Sequence, residues 1–305
     1  MLTVAMALMA ATIAGGVTQD DPGRAAADEA AVRVDDVMVS GRRLRDEVQV
    51  FVDEVAAPPP GRGLARWRDS LCVSTVNIDN AVAQSLIDHI YRVAMDNGLR
   101  VRDPGCKPHA VIFFTDDGAG LASALVSNEP AVFDIRWSTQ LHRGPKALRA
   151  FQASEAPVRW WHVSVPVLGL TGERAIRMPG DLGVLLIPGE GIVNRGRPVS
   201  DSLSKVIIIV DLSQIGDVML PELGDYLAMV SLAQVDPEGD TSRHDSILNL
   251  FNQSGERQSM SGWDKAYLAS LYGAYPERIY PYDHASSMAR GIRRAEAKPH
   301  VESNR

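Results

Sequence analysis

Cysteine is scarce in this chain, metal-site spacings are missing, and no long apolar run follows the first sixteen residues. Each shortage removes a class of protein. With only Cys72 and Cys106 the chain is not a disulfide-dense scaffold, and without a CxxC pair it is neither a zinc ribbon nor a thioredoxin-like redox protein. Its seven histidines are His89, His109, His142, His162, His244, His284 and His300. No two of them lie four residues apart, so no helix can aim two imidazoles at one metal ion from successive turns. There is no GxxxxGK[ST] loop and no GxSxG elbow. Gly189-Glu190-Gly191 lacks the third glycine and the ribose-binding acid of a dinucleotide loop. The net charge is −7, and apart from Arg42-Arg43 and Arg293-Arg294 the basic residues are scattered, which excludes nucleic acid as an expected partner.

What is present divides the chain into four stretches. Residues 1–16 (MLTVAMALMAATIAGG) are uncharged and apolar or small, too short for a convincing membrane span. They read as a signal peptide cleaved after Gly16, so the mature protein is expected to be exported, periplasmic or secreted, with no transmembrane segment. Residues 17–60 form a charged, Ala-rich lead-in closed by the stiff Ala56-Ala57-Pro58-Pro59-Pro60 linker. Within this lead-in, Val34–Leu44 reads as a local strand or helix start. Residues 61–275 make one domain, long enough to bury a substantial core. Residues 276–305 are polar and Arg-rich and are expected to fray. Export suits two cysteines: each stands beside a strand candidate, and a Cys72–Cys106 disulfide could form if those strands are neighbours.

Periodicity supplies the elements of the domain. A strand at Leu71–Val76 leads to a helix over Ala81–Asn97, capped by Asp79 and ended by Gly98, with Val82, Leu86, Ile90, Val93 and Ala94 on one face. Another strand at Ala110–Thr115 completes a strand–helix–strand unit. His89 is expected to face solvent from that helix. A short helix over Gly120–Ser127 follows. Val158–Leu168 (VRWWHVSVPVL) contains Pro166, which places it at a sheet edge, with Trp160, Trp161 and His162 as exposed binding candidates and core packing expected for at least one of the two tryptophans. Leu182–Pro188 and Ile192–Val199 suggest a hairpin. The aliphatic run Val206–Val210 is a buried strand. It precedes a helix-like segment over Leu220–Asp236, with Leu220, Leu223, Leu227 and Val230 at helical spacing and Pro221 in the first turn.

The order from Lys205 to Gly273 resembles the zincin fold, in its metzincin and matrixin branch: buried strand, metal-binding helix, Met-turn and closing helix. The turn candidate is Ser246–Asn249, with Ile247 or Leu248 where the family has methionine. The closing segment Met260–Gly273 carries Ser261, Asp264, Leu268, Leu271, Tyr272 and Gly273 at the family's spacing. The resemblance implies an α/β (α+β) fold: a zincin-like mixed sheet with the strand–helix–strand unit, a degenerate active-site helix and a C-terminal helix. Aligned on its apolar positions, the helix puts Asp225 at the family's first His, Tyr226 at its catalytic Glu, Met229 at its second His, Leu232 at its Gly and Val235 near its third ligand. A thioether is a poor zinc ligand, and a phenol with a reference pKa of ~10 is a poor base at neutral pH. The expectation is therefore a non-catalytic protein with no metal and no cofactor. It would bind an extended peptide or an envelope protein in the relic cleft bordered by the tryptophan strand, or serve a structural role. The alternative is a metallohydrolase with relocated ligands around Asp225, Asp245 and His244.

Overall fold

A computed structural model of the chain describes residues 34–59, 62–131, 133, 143–168, 171–177, 185–187, 191–193, 199–252, 259–273 and 281–296. The expected signal peptide, residues 17–33 of the lead-in, Pro60-Gly61, Gly189-Glu190 and the last nine residues lie outside them. The chain divides into two compact units, 1–43 and 44–305. Of the first, only Val34–Arg43 are described, as the beginning of helix α1 (Val34–Val55). The Val34–Leu44 stretch is thus helical.

The larger unit is mixed α/β, and its sheet is mostly parallel. The central strand is β10 (Val199–Asp211). On one side it pairs in parallel with β5 (Ala110–Thr115) and, near its start, with β1 (Ala65–Arg66). Beyond β5 lies β3 (Val73–Val76), also parallel. On its other side β10 pairs antiparallel with β6 (Val158–Leu168), through a register shift between Leu203 and Lys205. Val206, Ile208 and Val210 pack on one face of the sheet, while Ile207 and Ile209 pack on the other. Covering on both faces is why this strand is continuously aliphatic. Short strands β2 (Ser70–Leu71) and β4 (Arg100–Val101) pair in parallel beside it. The expected hairpin is present in its described part, where β8 (Leu185–Ile187) pairs antiparallel with β9 (Gly191–Val193) and with β7 (Ile176–Arg177).

Helices cover both faces. One face carries α2 (Asn80–Asp96), α5 (Leu220–Leu232), α6 (Gly262–Gly273), α7 (Pro281–Glu296) and the Leu44–Val55 part of α1. The other carries α3 (Gly118–Asn128) and α4 (Pro145–Ala153). Asp79 caps α2 by accepting from the Ala81 and Val82 N–H groups, and Gly98, at φ 76°, turns the chain out of it. Two expectations change. The end of the lead-in belongs to the core: Val48, Phe51, Val52 and Val55 are fully buried, and Ala57 N–H donates to the Gln234 carbonyl. The tail expected to fray contains α7, which buries Ala285, Met288 and Ala289. Both stretches read as polar because each presents only one narrow apolar stripe.

Cys72 and Cys106 form a disulfide, Cα–Cα 6.2 Å, closing a separation of 34 residues. Chain-entropy reasoning assigns such a loop about 3–4 kcal/mol. Urea unfolding with and without reductant is expected to differ by that amount. Equal midpoints would mean that the bond constrains nothing. No helix among the described residues is long and apolar enough to cross a membrane.

Candidate functional site

Helix α5 is buried almost all round from Leu223 to Leu232. Pro221 occupies its first turn, and the Glu222 carboxylate accepts from the Met219 N–H at 3.0 Å, a favourable charge at the positive end of the helix. After Leu232 the chain turns extended at Ala233, so Val235 lies outside the helix.

The positions aligned with the zinc machinery do different things here. Met229 has no exposed surface and fills the core. Asp225 is spent on structure: its Oδ1 accepts from His89 Nε2 at 2.6 Å and its Oδ2 from the Met260 N–H at 2.7 Å. Burial pulls this carboxyl upward, but the His89 and Met260 bonds outweigh it and hold the group below its usual range. His89 therefore does not face solvent. It reaches Asp225 because Gly224 lets the ring close on α5, where a Cβ would stand 2.9 Å from its Cγ. His244 packs against the rings of Phe51 and Trp263 and is not joined with Asp225. Asp245 is exposed. Among the described residues no three His, Cys, Asp or Glu side chains could hold a metal ion. Zinc does not fit these residues: one aligned carboxylate is fully bonded, and the other aligned side chains are a buried thioether and an aliphatic group.

Trp160 and Trp161 are buried, at 7% and 4% exposure, so the core packing expected of at least one holds for both and neither is an exposed candidate. Both faces of β6 are covered, so alternation sends one indole to each layer. Trp160 Nε1 donates to the Val235 carbonyl at 2.9 Å, and Trp161 Nε1 to the Phe133 carbonyl at 3.4 Å. His162 is partly buried, and its Nε2–H donates to the Val230 carbonyl at 2.8 Å. Burial outweighs that bond and lowers its pKa to about 4, so the ring is neutral at physiological pH.

The hydrogen-bonding pattern of the β6 backbone decides which of its main-chain groups are used within the sheet. Asp211 N–H donates to the Pro157 carbonyl at 2.8 Å, and Val158 faces Val210 in the register. Antiparallel pairs alternate between bonded and non-bonded. The main-chain groups of Arg159 and Trp161 therefore point to β10, and those of Val158, Trp160 and His162 point outward. Farther along, the outward groups are covered: Ser164 carbonyl accepts from Arg62, Pro166 carbonyl from Ala175 N–H, and Leu168 N–H donates to Glu173. At Val158, Trp160 and His162 no main-chain partner is present among the described residues. Val158 and Trp160 of this stretch border a pocket of about 360 Å³, lined also by Phe151, Tyr226, Leu248 and Phe251 among others. Tyr226 closes its floor, edge-on to both Trp160 (centroids 6.1 Å) and Phe251 (5.0 Å). It is 5% exposed, and burial pushes its phenol well above the ordinary value, so it is a neutral hydroxyl and no base.

Beside the pocket, the turn after α5 is a short 3-10 helix, Ile247–Asn249, packed on α5 and tied to α6 by Asp264. Sequence reasoning placed Asp264 only as a spacing match. It also missed the buried Arg62–Asp201 pair at 2.6 Å and the forked Arg143–Asp236 contact, at 2.6 and 3.1 Å. Charged residues inside apolar stretches are the available signal, but nothing local says which distant charge they meet. Comparison with protein-family models, with curated proteins and with solved structures found no match for this chain.

Proposed function

We propose that this is an exported, non-catalytic protein on a degenerate zincin-like scaffold, which captures an extended peptide segment along the edge of β6. One observation carries the reading: among the described residues the outward main-chain groups of Val158, Trp160 and His162 have no main-chain partner, and Val158 and Trp160 line a pocket that Tyr226 of α5 also borders. An added strand would bond to those groups and send alternate side chains toward the pocket. The scaffold likeness draws support from arrangement. An antiparallel edge strand lies beside the strand that leads to α5, the following turn packs on α5, and Asp264 joins that turn to the closing helix. Export draws support from the disulfide, which persists in oxidising compartments. The absence of catalysis draws support from the chemistry of Asp225, Tyr226 and Met229.

The test is a binding screen of immobilised extended peptides against the purified full chain, followed by an N-methyl scan of a selected binder. Methylating alternate amides, those that would face β6, is expected to weaken binding roughly tenfold, about the worth of one net hydrogen bond plus an unmade partner. Methylation at the intervening positions is expected to have little effect. Equal sensitivity at every position would reject strand addition. Stoichiometric zinc by elemental analysis, together with peptidase activity, would replace this reading with the relocated-ligand hydrolase.

A further inference from the structure

We infer that the pocket beside the β6 edge receives a carboxylate, anchored on the Arg159 guanidinium; this deepens the peptide-capture reading above and rests on it.

Arg159 lines the pocket, and its side chain is 2% exposed. Its guanidinium is short of partners. Nη2 donates to the Ala156 carbonyl over a long 3.4 Å, and Asp211 Oδ2 stands 3.8 Å from it, beyond hydrogen-bond reach. The Asp211 oxygens are spent elsewhere. Oδ2 accepts from the Gly118 N–H at 2.9 Å, and Oδ1 accepts from the Ser213 N–H and hydroxyl at 3.2 and 2.6 Å. Nε and Nη1 of Arg159 are buried with no hydrogen-bond partner among the described residues. Burial lowers the pKa of this guanidinium, and the charges of Asp211 and Asp117 only partly offset that. A buried cation with two unmade bonds is costly.

The partner it lacks has one way in. Nη2 is pressed against Gly118, where a Cβ would stand 2.7 Å from it, and neither Gly118 nor Asp211 borders the pocket. A group that answers Nε and Nη1 therefore arrives from the pocket side. Neither nitrogen is open to water, so the guanidinium turns toward the ligand as it seats. Phe151, Trp160, Tyr226 and Phe251 wall the space, and such walls strengthen a charge-assisted bond by keeping water from it. A carboxylate offers two planar acceptors to a guanidinium, whereas a cation would meet Arg159 as a like charge. Two wall carboxylates oppose the ligand, unequally. Asp236 is held in the fork of Arg143, while Glu238 is exposed, where salt screens it. The carboxylate has two possible sources, a glutamate side chain within the captured segment or the segment's own C-terminus.

The experiment uses the intact disulfide-bonded chain and two sets of extended peptides, otherwise neutral. The first set is blocked at both ends and carries glutamate, glutamine, norleucine or lysine at its centre. The second is one norleucine-ended peptide, as free acid and as amide. Binding is followed by tryptophan fluorescence and by calorimetry at low and high salt. Glutamate is expected to bind roughly tenfold more tightly than glutamine, or the free acid roughly tenfold more tightly than its amide, according to the source. Lysine should bind most weakly of the first set. Glu238→Gln, at an exposed position, should strengthen the favoured acid about two- to threefold at low salt and less at high salt. Arg159→Met keeps an apolar stem and removes the charge, and it should bring the acid down to the affinity of its neutral counterpart. Where circular dichroism shows that variant unfolded, the acid-against-neutral comparisons in the unaltered chain decide alone. If glutamine matches glutamate and the amide matches the acid while the peptides bind, the carboxylate preference is wrong and edge capture survives. If no peptide binds, the peptide-capture reading itself falls and this inference with it.

Discussion

Acidification from pH 7 to pH 5 is expected to remove about 3–4 kcal/mol of folding stability through two buried histidines. His284 is 1% exposed on α7, with the Ser270 hydroxyl 3.2 Å from its Nδ1 and the Tyr267 ring edge-on at 4.4 Å. Burial lowers its pKa to about 3. His162 is lowered to about 4 for the same reason. The sign follows from which state takes the proton. The unfolded chain protonates each ring near its reference value of ~6.5, while the folded chain holds both neutral, so lowering pH favours unfolding. The stability is intact above pH ~6.5 and is lost as pH falls toward 4 and then 3. At pH 5 each ring is worth about 2 kcal/mol, slightly less for His162, which keeps some contact with water. Denaturant unfolding measured across pH 7 to 4.5 is expected to steepen below 6.5. In the His162→Gln, His284→Phe double variant the slope should drop by up to ~2.7 kcal/mol per pH unit, two protons' worth. An unchanged slope would mean that neither ring is held neutral by the fold.

Replacing Asp264 by alanine is the second large effect, expected at about 3–6 kcal/mol. This carboxylate has no exposed surface. It accepts from the Ser246 hydroxyl at 2.7 Å, the Ile247 N–H at 2.8 Å and the Ser261 N–H at 2.9 Å. Its own N–H donates to the Ser261 hydroxyl at 3.1 Å, which makes a reciprocal cap at the start of α6. Alanine leaves two buried N–H groups and a hydroxyl with nothing to bond, and bonds to a carboxylate are the stronger kind. Asp264→Asn keeps the shape but presents donors where acceptors are needed, so it should recover less than half of the loss. Since the turn that Asp264 holds adjoins the pocket wall at Leu248 and Phe251, peptide affinity should fall along with stability. A loss below 1 kcal/mol in the alanine variant would show that the turn and α6 are held together by apolar packing alone.

Much of the fold is legible locally. The 3.6-residue spacing around Leu86, Ile90 and Ala94 and the Asp79 and Gly98 boundaries mark α2 without reference to anything else. The Val206–Val210 run reads as a buried strand for the same reason. What failed did so where a residue's surroundings come from afar. His89 reads as solvated on its own helix, yet its partner Asp225 is 136 positions away. One wet face on β6 would expose one of the neighbours Trp160 and Trp161, and both are buried because α4 and α5 lie on opposite sides of it. The Leu44–Val55 helix and α7 look peripheral because their apolar stripes are narrow.

The order of letters by itself set most of the helix and strand segments of the central domain and the poverty of metal donors along α5, since each depends on spacing or residue chemistry that neighbours in the chain supply. Tertiary packing decided that the carboxylate of α5 is consumed by a histidine from α2. It also left three residues of β6 without main-chain partners among the described residues, beside an aromatic-walled pocket. Those outcomes are sums of contacts among segments far apart in sequence, and such contacts exist only once the sheet has brought the segments to one place.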